Sequence, residues 1–136
     1  MDIRKSQMEA LQDAADKQFV HRVMEYLREH EPGEVAALTD AVLEERVRFA
    51  MGRAHAYGFT WQSSIVGFVA MMFQVGPDFE RHPAFAKALE IQRNSGETNE
   101  DDRMVLIFEH VTDEEWDDAQ AKSDATCWPD RMRWRP

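Results

Sequence analysis

From Trp61 to Val75 the chain carries Ile65, Val66, Phe68, Val69, Met71, Met72 and Phe73 with no charged residue among them; Thr60 stands before the run and Gly76-Pro77 behind it. A capping residue in front and a glycine-proline stop behind predict a helix, with Thr60 as its N-cap. This helix is apolar on nearly every side, and such a helix is stable only when other elements surround it. The unbroken apolar stretch, Ile65 to Phe73 with Gly67 inside it, is about half of the ~20 residues that cross a bilayer, so the surroundings have to be protein. Gly67 costs about 1 kcal/mol against alanine in a helix interior, which predicts a close neighbour at that point.

The shell is expected to be helical as well, because apolar residues three and four apart recur along most of the chain and no stretch alternates with β-branched enrichment. A first helix is expected from about Ser6 to His30, opened by a Ser6–Glu9 capping box, with Met8, Leu11, Ala15, Phe19, Val23 and Leu27 inward, widened by Val20 and Met24. Pro32-Gly33 breaks it, and a helical turn from Glu34 to Leu38 follows. Thr39 or Asp40 caps a second long helix to about Tyr57, with Val42, Leu43, Val47, Ala50, Met51 and Ala54 inward and Gly58 as its left-handed stop. After the turn Pro77 to Pro83 comes a short helix, Ala84 to about Gln92, offering Phe85, Ala88, Leu89 and Ile91. Thr98 with Asp101, or Asn99 with Asp102, caps a helix holding Met104, Val105, Ile107, Phe108 and Val111; Thr112 with Glu115 opens a last one around Trp116 and Ala119. The expectation is an all-α, single compact domain of about six or seven helices around the Trp61 to Val75 helix, residues 1–126, followed by a basic and aromatic C-terminal tail, residues 127–136.

Of the 136 residues, 16 are Lys or Arg and 26 are Asp or Glu, a net charge of −10. Phosphate backbones and anionic lipid repel such a chain, so nucleic acid and membrane are poor partners. A lone Cys127 and an opening MDIRKSQMEA without an apolar core lead us to expect a cytoplasmic protein. The charge is uneven. Residues 97–124 hold eleven acids, including Glu100, Asp101, Asp102, Asp113, Glu114, Glu115, Asp117 and Asp118, against Arg103 and Lys122. They read either as solvated helix faces, with acids favoured in first turns, or as a negative docking surface for a basic protein. The tail CWPDRMRWRP sets Arg131, Arg133 and Arg135 among Trp128, Met132 and Trp134. It either folds back on the acidic helices or binds a partner, since Trp and Arg are enriched at interface hot spots.

Candidate chemistry is sparse. His21, His30, His55, His82 and His110 form no HExxH and have no cysteine set, so no metal is expected; there is no P-loop or dinucleotide fingerprint, and no cofactor is expected. In the turn Asp78-Phe79-Glu80-Arg81-His82, Asp78 reads as turn chemistry, Phe79 as a core plug, and Glu80 and His82 as side chains turned to water. Cys127 has no histidine near it in sequence, and Ser63-Ser64 lacks the glycine-flanked elbow of a catalytic serine. An enzyme would instead need a deep pocket joining Asp78, Glu80 or Cys127 to a histidine.

The motifs Ala54-His55-Ala56-Tyr57-Gly58-Phe59-Thr60, Phe68-Val69-Ala70-Met71-Met72-Phe73, Gly76-Pro77-Asp78-Phe79 and His82-Pro83 resemble small helical proteins, or C-terminal helical extensions of adaptor proteins, encoded beside type VI secretion effectors and polymorphic toxins. The likeness covers roughly residues 3–92 and excludes the acidic segment and the tail. It implies a non-enzymatic accessory role: an adaptor or co-chaperone that binds an effector chaperone or the effector itself. An immunity protein that covers a toxin's basic active site is the second reading. A homodimer through an apolar helix face fits either.

Overall fold

The computed structural model describes the backbone of residues 2–132 and the side chains of residues 16–131 other than 32 and 34. Across them every regular element is helical: α1 (Asp2–His30), α2 (Pro32–Ala36), α3 (Asp40–Ala56), α4 (Gln62–Val75), a 3-10 turn (Phe79–Arg81), α5 (Pro83–Arg93), α6 (Glu100–Glu109), α7 (Asp113–Lys122), a second 3-10 turn (Ala125–Cys127) and α8 (Pro129–Met132). The all-α expectation holds, with α4 at the centre: α3, α6 and α7 pack directly on it, and Ile65, Phe68, Val69, Met71 and Met72 are buried. No helix among the described residues is long and apolar enough to cross a membrane.

The first helix starts at Asp2, so Ser6 lies inside it; nothing in Asp2-Ile3-Arg4-Lys5 breaks a helix, and the Ser6–Glu9 pair does not mark a boundary. Phe19, Val20, Val23, Met24 and Leu27 are buried as expected, while Met8, Leu11 and Ala15 lie outside the described side chains. Pro32 opens α2, so the short helix lies two residues earlier than expected, because proline's missing N–H is no loss in a first turn. Arg28 fastens this corner, donating to the carbonyls of Val35 (3.1 Å) and Leu38 (3.1 Å) and to Asp40 Oδ1 (2.7 Å).

Thr39, not Asp40, caps α3: its Oγ1 accepts from Val42 N at 3.2 Å. Gly58, at φ +88°, makes the expected left-handed stop. Leu43, Val47, Ala50 and Ala54 are buried, and so is Arg46. Asn99 rather than Thr98 caps α6, and Thr112 with Glu115 forms the full capping box of α7.

A row of aromatic rings runs through the body. Phe59 (5.9 Å between centroids) and Phe79 (5.4 Å) flank Phe68 of α4; Phe79 meets Phe85 of α5 at 5.3 Å; Phe85 meets Trp116 of α7 at 5.4 Å; and Trp116 stacks on Phe108 of α6 at 5.9 Å. Phe59, Phe68, Phe79 and Phe85 are fully buried, whereas Phe108 is 45% exposed.

Two glycines on or beside α4 differ in what they permit. A methyl on Gly67 would stand 3.4 Å from Met104 Cε, the flexible end of a side chain on α6. The neighbour expected from the sequence is present, but it is a movable tip and not a backbone. Gly76 has φ +147°, and a methyl there would lie 1.6 Å from Ser123 Oγ. Gly67→Ala is therefore expected to raise stability by about 0.5–1 kcal/mol through helix propensity, and Gly76→Ala to lower it by about 2–4 kcal/mol through strain and displacement of Ser123. Urea midpoints of the two variants against the parent check both signs.

Candidate functional site

The acidic segment divides into structural acids and free ones. Glu100, placed on the docking surface by charge alone, is instead buried, with 6% exposure. Its Oε1 accepts from the backbone N–H of Thr60 (2.6 Å) and Trp61 (2.7 Å) and from Ser64 Oγ (2.7 Å); its Oε2 accepts from Thr60 Oγ1 (2.5 Å). Thr60 therefore does not cap α4: the N-cap is Trp61, which has no capping side chain. Glu100 takes the N-cap N–H from another helix, as the glutamate of a capping box does from its own. Burial raises the Glu100 pKa, but the hydrogen bonds from Thr60, Trp61 and Ser64 outweigh it and bring the pKa down from 4.5 to about 2.

Glu115 is half-buried in the capping box, taking Thr112 N on Oε1 at 2.9 Å, and that backbone bond lowers its pKa. Asp118 Oδ2 lies 2.7 Å from His82 Nε2 and 3.0 Å from Lys122 Nζ; the bond from His82, then that from Lys122, lowers its pKa.

Asp101, Asp102, Glu109, Asp113, Glu114 and Asp117 are exposed. Among the described residues no cation forms an ion pair with them. At about 100° per residue, Asp101, Asp102, Val105, Phe108 and Glu109 share an arc of about 120° on α6. Val105 (48% exposed) is a large apolar side chain in the middle of that arc, and Phe108 (45%) is one at its edge, where it meets Trp116. Phe108 rests on half-buried Trp116, so the face combines a rigid aromatic platform with an acidic rim. Charge points to the acids, and by sequence Val105 and Phe108 belong with the apolar residues of α6. The signal was present in the sequence: Met104, Val105, Ile107, Phe108 and Val111 span about 160°, wider than the ~100° that one buried stripe needs.

The described part of the tail, residues 127–132, folds back onto α3 and α4. Trp128 is 3% exposed, packed at 4.9 Å from Phe73 and 6.1 Å from Phe49, with the Arg46 guanidinium 5.0 Å from its ring. Arg46 donates to Asp130 through Nε (2.8 Å) and Nη2 (3.1 Å), and this pairing lowers the Asp130 pKa. Trp128 thus leaves the set of candidate contact residues. Its distant partners, invisible in the local pattern, made a core residue read as a free one. Arg131 is exposed; Arg133 and Trp134 lie outside the described residues.

The turn before α5 also differs from its expected outward reading. Glu80 pairs with Arg53, its side chain 11% exposed. His82 caps α5 by accepting Ala84 N on Nδ1 at 3.2 Å, which puts the proton on Nε2, toward Asp118. Tertiary partners on α3 and α7 draw both side chains inward. Asp78 accepts from Ser123 Oγ (2.9 Å) and Asp124 N (3.1 Å). Asp78 and His82 line one cleft of about 440 Å³ with Arg81, Asp118, Lys122 and Ser123, whereas Glu80 lines another with Tyr57 and Arg93. Tyr57 there has a raised pKa, from burial and then from Glu80. Cys127 Sγ is 3.8 Å from Arg81 Nη1. His82 thus ties α5 to α7, Asp78 ties the turn to the segment after α7, and Glu80 ties the turn to α3.

Two outcomes follow. Because the folded-state pKa of Glu100 is depressed, its contribution is fully present above pH 4.5 and is lost as the pH falls through about 2. Glu100→Gln is expected to lower stability by on the order of 2–3 kcal/mol at neutral pH, with parent and variant urea midpoints converging below about pH 4. Trp128→Ala is expected to lower stability by about 3–4 kcal/mol, read as a thermal midpoint; a change below about 0.5 kcal/mol would return the tail to the role of a free peptide.

Comparison with protein-family models, with curated proteins and with solved structures finds no match for this chain.

Proposed function

We propose that this chain is a non-enzymatic protein-binding accessory factor that holds a basic partner surface against α6 and α7. One observation carries the reading: Val105 and Phe108 stand about half exposed on one face of α6, with Phe108 stacked on Trp116, among exposed acids without described ion-pair partners. Large apolar side chains at a patch centre supply burial, while the acidic rim steers encounter and selects the sign of the partner's charge. The motif resemblance over residues 3–92 supports, within this proposal, an effector chaperone or an effector of a type VI secretion system as the partner. The chain then acts as an adaptor or co-chaperone.

The same acidity suits an immunity protein that covers a basic toxin site, and the experiment separates the two. Coexpression with neighbouring gene products is expected to copurify the effector chaperone and to give no protection against the toxin; protection by this chain alone assigns immunity. In either case Phe108→Ser with Glu109→Lys is expected to reduce copurification about tenfold or more while lowering stability by about 1–2 kcal/mol through the lost stacking on Trp116, too little to unfold the chain. Undiminished copurification with that variant overturns the assigned face.

A further inference from the structure

We infer that the α6 face continues across the start of α4 into the groove between α1 and α4, and that this band seats one amphipathic helix of a partner protein, rich in Lys and Arg at the end lying over α6 and α7. The inference rests on the protein-binding reading and adds the extent of the site and the chemistry of its occupant. Among the described residues the exposed large apolar side chains are Tyr26 (41%), Trp61 (42%), Val105 (48%) and Phe108 (45%). Val105 and Phe108 stand on α6 and Tyr26 in the groove between α1 and α4, and the start of α4 lies between them, bonded to α6 through Glu100 and through Asp101. Tyr26 lines a groove of about 260 Å³ with Phe19, Val66 and Ser63. Ser63 Oγ donates to Asp101 Oδ1 at 2.7 Å, and Asp101 sits one turn before Val105 on the outward face of α6. The path from Tyr26 through Ser63 and Asp101 to Val105 and Phe108 is therefore continuous.

The occupant follows from shape and charge. The described residues contain no strand, so there is no sheet edge for an extended peptide to join, and the groove with its separated apolar anchors suits a helix. The charge of the band is polarised: Asp102, Glu109, Asp113 and Asp117 are exposed at the α6–α7 end, and Arg22 lines the α1–α4 groove. A helix with Lys and Arg toward α6 and apolar side chains toward Tyr26 matches both ends. The ten residues of α6 cover about 15 Å, and a helix of about 18 residues, some 27 Å long, is long enough to pass beyond the end of α6.

The test titrates the full chain with a fluorescein-labelled synthetic peptide of about 18 residues that carries leucines on one helical face and lysines in one half; an isomer of the same composition with the leucines scattered is the control. Fluorescence polarisation is expected to show the scattered isomer binding at least about tenfold more weakly, and Phe108→Ser and Tyr26→Ser each weakening the amphipathic peptide at least about tenfold, with circular dichroism unchanged. If Phe108→Ser abolishes binding and Tyr26→Ser does nothing, the site ends at α6: this inference fails and the protein-binding reading stands. If both peptides bind alike, charge alone is at work and the helix-seating inference fails. No binding below about 100 µM, or indifference to both substitutions, removes the inference and the assigned face together. Self-association in light scattering that Phe108→Ser dissolves would make the occupant a second copy of this chain and overturn a partner of different chemistry.

Discussion

The start of α4 is the point on which the rest of the structure depends. A helix this apolar must be enclosed along its length, and its leading backbone N–H groups have no partner within the helix. Trp61, at the N-cap, has no side-chain acceptor to offer. Glu100 reaches in from α6 and takes the N–H groups of Thr60 and Trp61 together with two hydroxyls, placing a carboxylate where the helix dipole favours negative charge. The position of α6 is therefore an electrostatic requirement of α4 as well as a packing outcome. Because Glu100 opens α6, the same contact sets which residues of α6 turn outward: Met104 and Ile107 go in, Val105 and Phe108 come out.

The aromatic row couples that surface to the interior. Phe108 is held by Trp116, Trp116 by Phe85, Phe85 by Phe79, and Phe79 by Phe68 at the centre of α4. Each ring has a neighbour within about 6 Å, in the range where aromatic pairs gain beyond area burial. A side chain supported in this way loses little freedom on binding, which distinguishes it from an isolated exposed Leu or Met.

What could be read in the sequence was whatever depends on residues close together in the chain. The Thr112–Glu115 capping box, the Gly58 stop and the inward stripe of α1 from Phe19 to Leu27 all follow from spacing and appear in the structure. What escaped is held by partners far apart. Glu100 serves residues forty positions away, Arg46 closes on Asp130, and His82 is held against Asp118; by local rules an acid in a first turn, an arginine on a helix and a histidine before a proline all belong in water. Trp128 was misread for the same reason. The candidate site lay between these cases, because the acids were visible by charge and the excess width of the α6 apolar stripe was visible by counting, but only the packing tells which edge of that stripe is left outside.

The acidity of the chain gains meaning once the structural acids are set aside. Glu100, Glu115, Asp118 and Asp130 are fixed by hydrogen bonds that keep them ionised, and helix capping and ion pairing explain them fully. Asp102, Glu109, Asp113, Glu114 and Asp117 have no such role: they sit exposed on adjoining helices, each deepening the negative potential felt by the others, with no described cation paired to them. First-turn placement accounts for Asp102, Asp113 and Glu114 through the helix dipole. It does not account for Glu109, in the last turn of α6, where the dipole disfavours an acid. An acid that opposes its own helix and stands beside exposed Phe108 is a local inconsistency of the kind that surfaces shaped by binding retain. The partner, in this reading, is the missing positive charge.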